Sequence, residues 1–350
     1  MRAVSPADRE PPTAVVLGAA GFVGRNVCDA LSARGWSVAA VVRRGGTGFP
    51  PGCRTVRLDL LRSGATELAA LLERERPSLV VNAAGALWNV TGEQLTEGNV
   101  TLVRRLADAV AGLPGPARLV HVGSAYEYGS QRAGTPLTED LPEEPTSHYA
   151  RTKLAGTRVL TEAVADGRLD AVVLRIAMAV GPYTPPDSLL GGIARRLAER
   201  PGELQLPPLA GVRDIVDVRD VADAVLRAAD PPRVPPVVNV GSGTGVPLTE
   251  AVDTLVRVSG TSARVLRSPA PDRGQDARRD AGIGEEPLAL TLARRELGWS
   301  PARTLEDGLA ALWDTVPGRP GTPDTPHAPE DRPTTTTTSN PAVDGERIHG

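Results

Sequence analysis

The sequence is poor in cysteine and aromatic residues and carries almost no net charge. Its two cysteines in 350 residues, Cys28 and Cys53, exclude a disulfide scaffold and have no metal-ligand spacing. The 39 basic and 42 acidic residues leave a net charge of -3, so we expect no nucleic-acid partner. Without a long apolar run we expect no membrane partner, and without a signal-like N-terminal segment we expect a cytoplasmic location.

Hydrophobic residues make up 41% of the chain but aromatic residues only 3%, so the core must be built from Ala, Val and Leu. Short β-branched runs alternate with helical stretches from residue 13 onwards, which predicts an α/β fold with a Rossmann-type, doubly wound parallel sheet. The predicted strands are Ala14–Leu17, Ser37–Val42, Thr55–Leu58, Leu79–Val81, Leu119–Val122 and Ala171–Leu174.

The chain is predicted to contain two ordered regions between loose ends. Residues 1–12 lack periodicity and predict a disordered leader, and residues 13–180 carry the strand–helix alternation of the sheet domain. In residues 181–316, prolines break the pattern and indicate a smaller substrate-binding lobe, which is interleaved because a strand near 237–240 returns to the sheet. The Pro- and Thr-rich residues 317–350 predict a disordered tail.

A glycine-rich turn follows the first strand, in the segment Gly18-Ala19-Ala20-Gly21-Phe22-Val23-Gly24. Gly18 permits a tight turn, Gly21 lets the backbone approach a pyrophosphate, and Gly24 lets helix and strand pack closely. The helix that begins near Phe22 and Val23 offers N–H donors to the phosphates. This pattern predicts a dinucleotide site, with an ordinary strand-to-helix turn as the alternative.

The ends of the next strands indicate which dinucleotide binds. Arg43 and Arg44 follow the second strand, where a cation accommodates the 2′-phosphate of NADP and an acidic residue would bind the free hydroxyl of NAD. NADP is therefore favoured over NAD, unless both arginines are merely solvated. Further cofactor contacts are predicted from the ends of the third and fourth strands, at Asp59, Leu60, Ala83, Ala84 and Gly85.

The strongest chemical pattern is Tyr149-Ala150-Arg151-Thr152-Lys153, which contains the only lysine of the chain. Four-residue spacing places Tyr149 and Lys153 on one helix face. A lysine beside a tyrosine is expected to lower the pKa of the phenol, which could then exchange a proton with an alkoxide. A surface pair is the alternative. Ser124, at the end of the fifth strand, could donate a hydrogen bond to a substrate carbonyl.

Together these segments resemble the extended short-chain dehydrogenases/reductases, the NAD-dependent epimerase/dehydratase family, over roughly residues 13–315. The segments Arg213–Val221, Asn239–Gly243 and Ala293–Trp299 are most similar to reductases of GDP-6-deoxymannose type and of other 4-keto-6-deoxysugars. The resemblance implies that Asn99 and Ile176 lie beside the cofactor, and that Ala125, Tyr126 and Met178 line the substrate site.

The resemblance also implies that Arg213 clamps a sugar diphosphate, with a surface ion pair as the alternative role. Met178 stands where many relatives carry an Asn that touches this group. Relatives of this family commonly dimerise through two helices, which here are Asn99–Ala111 and the helix of Tyr149, so we expect a homodimer.

Departures from the family pattern favour reduction. The 4,6-dehydratases carry an acid and a base where this chain has Ala125 and Tyr126, and Arg43 favours NADPH that arrives reduced. We therefore expect an NADPH-dependent reductase of a nucleotide-linked 4-keto-6-deoxysugar. Ser124 and Tyr149 would hydrogen-bond the ketone, Tyr149 would donate the proton, and Lys153 would hold the cofactor ribose. Alternatives are a ketoreductase of a non-nucleotide natural product, a sugar-nucleotide epimerase and a non-catalytic NADP sensor.

Overall fold

The largest element of the described structure is a sheet of seven parallel strands. The computed structural model describes residues 11–45, 48–85, 91–131, 134–199, 202–206, 209, 211–231, 233–267 and 286–319. Most of the predicted leader and the tail beyond residue 319 lie outside the described residues. Within them, no helix is both long and apolar enough to cross a bilayer.

Within the described residues, twelve strands form three sheets. The large sheet has the order β3-β2-β1-β4-β5-β6-β10; β11, β9 and β7 form a second sheet, and β12 pairs with β8. The strands are β1 Thr13–Leu17, β2 Ser37–Val42, β3 Cys53–Arg57, β4 Leu79–Asn82, β5 Arg118–Ser124, β6 Ala171–Ile176, β7 Met178–Val180, β8 Glu203–Leu206, β9 Val212–Asp217, β10 Val237–Val240, β11 Gly245–Pro247 and β12 Arg264–Arg267.

Helices cover both faces of the large sheet, and further helices pack with strands of the two smaller sheets. A π-helical turn, Glu97–Thr101, leads into α4, and a 3₁₀ turn, Ala125–Tyr128, follows β5. The helices are α1 Phe22–Ala33, α2 Ala65–Glu75, α3 Gly92–Thr96, α4 Leu102–Ala111, α5 His148–Ala165, α6 Leu189–Glu199, α7 Val218–Ala229, α8 Leu248–Ser259, α9 Thr291–Leu297 and α10 Leu305–Asp314.

The core has one layer on each face of the large sheet because its strands are buried on both sides. In β1, Ala14 and Val16 point into the layer that includes residues of α1 and α7, whereas Val15 and Leu17 point into the layer formed with α2, α4 and α5. A third apolar cluster contains buried residues of α6, α8 and α10, including Trp313. The predicted Rossmann-type fold is thus confirmed.

The large sheet orders its strands 3-2-1-4-5-6 before β10 is added, so the strand order reverses between β1 and β4. Ligands of doubly wound sheets bind at such a reversal, outside the carboxyl ends of the strands. β10 pairs with β6 in parallel register, with Asn239 opposite Arg175. The chain therefore returns to the large sheet after forming strands β7, β8 and β9 of the two smaller sheets.

Gly24 offers a test of the glycine turn. A Cβ at residue 24 would lie 2.2 Å from the Gly18 carbonyl oxygen, so Gly24→Ala must displace the turn. We expect the free energy of unfolding to fall by about 1–3 kcal/mol, as for other overpacked sites, when measured by urea denaturation. Gly115→Ala is the matched control because a Cβ there meets nothing within 4 Å. Equal stability of the two variants would contradict this account of the turn.

Candidate active site

The turn between β1 and α1 brings two strand ends into close contact. Gly18 has a left-handed φ of +74°, and a Cβ there would lie 2.7 Å from the Cα and N atoms of Ala84, which follows β4. A glycine is therefore required. Gly21, in extended conformation, is the N-cap of α1. This places the N-terminal end of α1 beside the reversal in strand order.

A cavity of about 870 Å³ adjoins this turn. The β1–α1 turn, the ends of β4, β5 and β6, the start of α5 and the second lobe all contribute to its wall. It brings together most of the residues that the sequence predicts for cofactor and substrate: Gly21, Phe22, Val23, Ala83, Ala84, Gly85, Asn99, Ser124, Ala125, Tyr126, Tyr149, Lys153, Ile176, Met178 and Arg213.

Among the described residues, six predicted cofactor residues lie outside the cavity wall: Gly18, Gly24, Arg43, Arg44, Asp59 and Leu60. The two glycines shape the turn behind the wall. Arg43 and Arg44 are exposed just after β2. The Asp59 carboxylate accepts a hydrogen bond from the Leu61 amide at 3.2 Å, so one of its oxygens already has a partner.

Part of the wall has no signal in the sequence. Residues from loops and the second lobe complete it, and nothing in their local pattern relates them to the motifs. They include Leu137, Thr184, Asp187, Leu190, Leu248 and Leu288. The Asp214 carboxylate accepts hydrogen bonds from the Ser242, Gly243 and Leu288 amides and thereby holds Leu288 at the cavity.

Tyr149 and Lys153 lie on the cavity side of α5, as the four-residue spacing predicts. The Ser147 hydroxyl caps this helix by accepting from the Ala150 amide at 3.1 Å. The Lys153 ammonium is buried and donates to the Val122 carbonyl oxygen at 2.6 Å. The pair is therefore built into the junction of α5 and β5, which rules out an exposed surface pair.

Tyr149 and Ser124 both line the cavity, and Ser124 lies near enough to the Tyr149 phenol to oppose the rise of its pKa. The Ser124 hydroxyl also accepts from the Tyr126 amide at 3.3 Å and begins the 3₁₀ turn after β5. The Tyr126 ring meets the Tyr149 ring edge to face, with centroids 5.9 Å apart and planes at 85°. Two hydroxyl donors thus converge on the cavity, beside an aromatic wall.

The expected lowering of the Tyr149 pKa is wrong. Burial raises the pKa of this phenol well above its usual value, and the hydrogen bond from Ser124 opposes the rise only in part. Burial also lowers the pKa of Lys153 to about 8, while the Glu127 carboxylate acts in the opposite direction. The phenol is therefore protonated at neutral pH, and the amine is close to its titration point.

His121 adjoins the amine of Lys153, and its Nε2 lies 3.3 Å from Nζ. The other ring nitrogen, Nδ1, lies 3.0 Å from the side-chain nitrogen of Asn82. Burial and the charge of Lys153 hold the pKa of His121 well below its usual value. A neutral imidazole therefore lies beside the amine, outside the cavity wall.

The residues around the glycine turn fit a dinucleotide. Asn99 is buried at the cavity, and its Oδ1 has no hydrogen-bond partner among the described residues. A buried acceptor without a partner is costly, so its place in the wall favours a ligand that donates to it. The small residues Ala83, Ala84 and Gly85 leave room beside it.

Arg213, Met178 and Tyr126 lie on the substrate side of the cavity. Arg213 is 9% exposed, and its Nη1 donates a hydrogen bond to the carbonyl oxygen of the preceding residue, Val212, at 2.7 Å. Arg213 forms no ion pair with any other described residue, and its burial argues against the exposed ion pair given as the alternative. A buried, uncompensated guanidinium in a cavity wall can bind an anionic group of a ligand.

Comparison with known proteins agrees with this geometry. The family model described as NAD dependent epimerase/dehydratase family matches residues 14–241. The chain is 41% identical over 312 residues to the dTDP-6-deoxy-L-talose 4-dehydrogenase (NAD(P)(+)) of Kitasatospora kifunensis, covering 87% of this chain and 95% of that protein. It is 29% identical over 318 residues to the UDP-glucose 4-epimerase of Streptomyces lividans, covering 83% and 91%.

Solved structures show the same fold at lower identity. The crystal structure of UDP-glucuronic acid 4-epimerase from Bacillus cereus, in complex with UDP-glucuronic acid and NAD, has a TM-score of 0.73 at 22% identity. The match covers 87% of this chain and 98% of that one. The match of the family model, which spans more than half of the sequence, confirms the predicted resemblance: this chain is an enzyme of the NAD-dependent epimerase/dehydratase family, within the extended short-chain dehydrogenases/reductases.

Proposed function

We propose that this protein is an NADPH-dependent ketoreductase of a nucleotide-linked 4-keto-6-deoxysugar. The observation that carries the proposal is that Ser124, Tyr149 and Lys153 lie together in the wall of one cavity that adjoins the glycine turn. The Kitasatospora kifunensis relative supports a dTDP-linked 6-deoxysugar as substrate class, since a 4-dehydrogenase and a 4-ketoreductase catalyse one reaction in opposite directions.

The glycine turn and the adjoining wall would hold NADP(H), with Arg43 and Arg44 available to the 2′-phosphate. When bound, NADPH supplies the hydride. The residues assigned to the cofactor are Gly18, Gly21, Phe22, Val23, Gly24, Arg43, Arg44, Asp59, Leu60, Ala83, Ala84, Gly85, Asn99, Tyr149, Lys153 and Ile176.

The chain's own groups orient and polarise the ketone. A carbonyl oxygen placed between Ser124 and Tyr149 accepts hydrogen bonds from both hydroxyls, which stabilises the negative charge that develops on it. Because burial keeps the phenol protonated, Tyr149 can give its proton to the oxygen as the carbonyl carbon is reduced. Lys153, one helical turn away, contributes positive charge towards the phenolate that remains.

The composition of the site favours reduction over dehydration. Ala125 and Tyr126 provide no carboxylate for an elimination, and Glu127, the next residue, is fully buried and absent from the cavity wall. Arg213 would bind the diphosphate of the substrate. Met178 in the same wall favours one alternative, a ketoreductase of a non-nucleotide substrate.

Two further features of the proposed enzyme remain predictions. The helices expected to form the dimer contact, α4 and α5, pack side by side on one face of the sheet. The homodimer and the cytoplasmic location are both part of the proposed function.

Removing the phenol hydroxyl tests the proposed proton donor. Tyr149→Phe is expected to lower kcat about 10²- to 10⁴-fold, measured by the absorbance of reduced nicotinamide with dTDP-6-deoxy-L-talose and NADP⁺ in the reverse direction. Tyr183→Phe is the matched control, because Tyr183 is exposed and lies outside the cavity wall. Unchanged turnover in Tyr149→Phe would refute the assignment.

The cofactor preference depends on Arg43. Arg43→Ala should lower kcat/KM for NADPH roughly tenfold or more, because it removes a charge-assisted hydrogen bond to the 2′-phosphate. It should leave kcat/KM for NADH nearly unchanged, because NADH has no such phosphate. Arg195→Ala, which removes an exposed arginine of α6, serves as control. Equal losses with both cofactors would show that Arg43 does not select NADP.

Nucleotide binding separates the two substrate classes. A ligand that binds only the folded state stabilises it by about 2.7 kcal/mol at a hundredfold excess over its Kd, so saturating dTDP should raise Tm by several degrees. Thymidine, which has no phosphates, should raise it less, and Arg213→Ala should reduce the shift with dTDP. No shift with dTDP in the wild type would favour the non-nucleotide substrate.

A further inference from the structure

A carboxylate that lies behind the cavity connects the two elements that carry the proposed catalytic hydroxyls. Glu127 is 0% exposed, and its Oε1 accepts from the backbone amide of Ser124 at 2.9 Å. Its Oε2 accepts from the Thr157 hydroxyl of α5 at 2.9 Å. One side chain thus ties the end of β5 to α5.

The attachment to α5 occurs on the face that carries the proposed catalytic pair. Tyr149, Lys153 and Thr157 are spaced by four residues, so they follow one another along the same side of the helix. Thr157 is buried, and Glu127 is among the groups whose charge acts on both Tyr149 and Lys153. The carboxylate is therefore placed to affect the distance between β5 and α5 and the charge at their junction.

A buried arginine balances the carboxylate. The Arg175 Nε of β6 donates to Glu127 Oε2 at 2.9 Å, and its Nη2 donates to Glu143 at 2.7 Å. The guanidinium also lies over the Tyr128 ring, 4.6 Å from the centroid. Replacement of a buried ion pair by apolar residues of similar volume is often neutral or stabilising, so the stability of the core is a weak reason for this pair.

We propose that Glu127 is a positioning residue, whose carboxylate holds the Ser124 hydroxyl against Tyr149 and provides the negative charge beside the Tyr149–Lys153 pair. This inference rests on the proposed function of Ser124 and Tyr149. Glu127 does not touch the substrate, because it lies outside the cavity wall. It acts through the Ser124 amide and through its charge.

The test compares Glu127→Gln with Glu143→Gln. Both substitutions remove one negative charge that pairs with Arg175, but only Glu127 contacts Ser124 and Thr157. A glutamine at residue 127 has one acceptor oxygen and cannot accept from both the Ser124 amide and Arg175. With dTDP-6-deoxy-L-talose and NADP⁺, we expect kcat of Glu127→Gln to fall roughly 10- to 100-fold with KM nearly unchanged. Glu143→Gln should behave like the wild type.

A second readout needs no substrate. Lys153 is the only lysine, so ¹³Cε-lysine labelling produces one side-chain signal whose pH titration reports its pKa, about 8 in the wild type. Loss of the Glu127 carboxylate should lower this pKa, whereas Glu143→Gln should leave it unchanged. A purely structural role of Glu127 would not move the titration.

The outcomes distinguish this inference from the proposed function. If Tyr149→Phe abolishes turnover but Glu127→Gln matches Glu143→Gln in kcat and in the lysine titration, the role of Glu127 is refuted. If the wild type shows no turnover, the proposed function fails and the positioning role of Glu127 fails with it, while the lysine titration still shows whether the Glu127 carboxylate supplies the negative charge beside Lys153. Should Glu127→Gln not fold, Thr157→Val replaces it: a loss of kcat at constant KM supports the inference, and unchanged kcat overturns it.

Discussion

The position of the buried Lys153 and the half-buried Tyr149 against the end of β5 is the constraint on which the chemistry of this protein depends. This position determines the neighbours of the Lys153 amine: it donates a hydrogen bond to the Val122 carbonyl oxygen, and its nitrogen lies 3.3 Å from His121 Nε2. It also raises the pKa of the phenol and lowers that of the amine. A surface pair with the same spacing would have neither property, because solvent would screen both groups.

Residues with a local structural reason could be predicted from the sequence. The glycine turn was predictable because Gly18 needs a left-handed φ and Gly24 allows close packing. Both requirements favour glycine at these positions, so they are visible in the sequence. The central strands are buried on both faces and so appear as continuous apolar runs. β3 is an edge strand with mostly exposed side chains, which explains why its start at Cys53 was missed.

The remaining features depend on contacts between distant segments. Leu288 reaches the cavity only because Asp214 holds its amide, and no spacing in the sequence relates these two residues. Likewise, Glu127 follows Ser124 by three residues, but the sequence does not show that its carboxylate turns into the core towards Arg175. The sign of the Tyr149 pKa shift could not be predicted either, because it depends on how far the surrounding structure removes the phenol from water rather than on which residue is four positions away.

The same burial explains why a chain that otherwise uses arginine has a lysine at residue 153. A guanidinium stays charged at every accessible pH, so its transfer into this junction would carry the full cost of desolvation. An amine can lose its proton, and although burial lowers its pKa to about 8, that pKa still lies above neutral pH, so the amine remains mostly charged. Three rotatable donors on a compact group also suit a site whose walls are the Val122 carbonyl oxygen and a neutral imidazole. Lysine can therefore be both buried and charged here, and the negative charge of Glu127 favours that state.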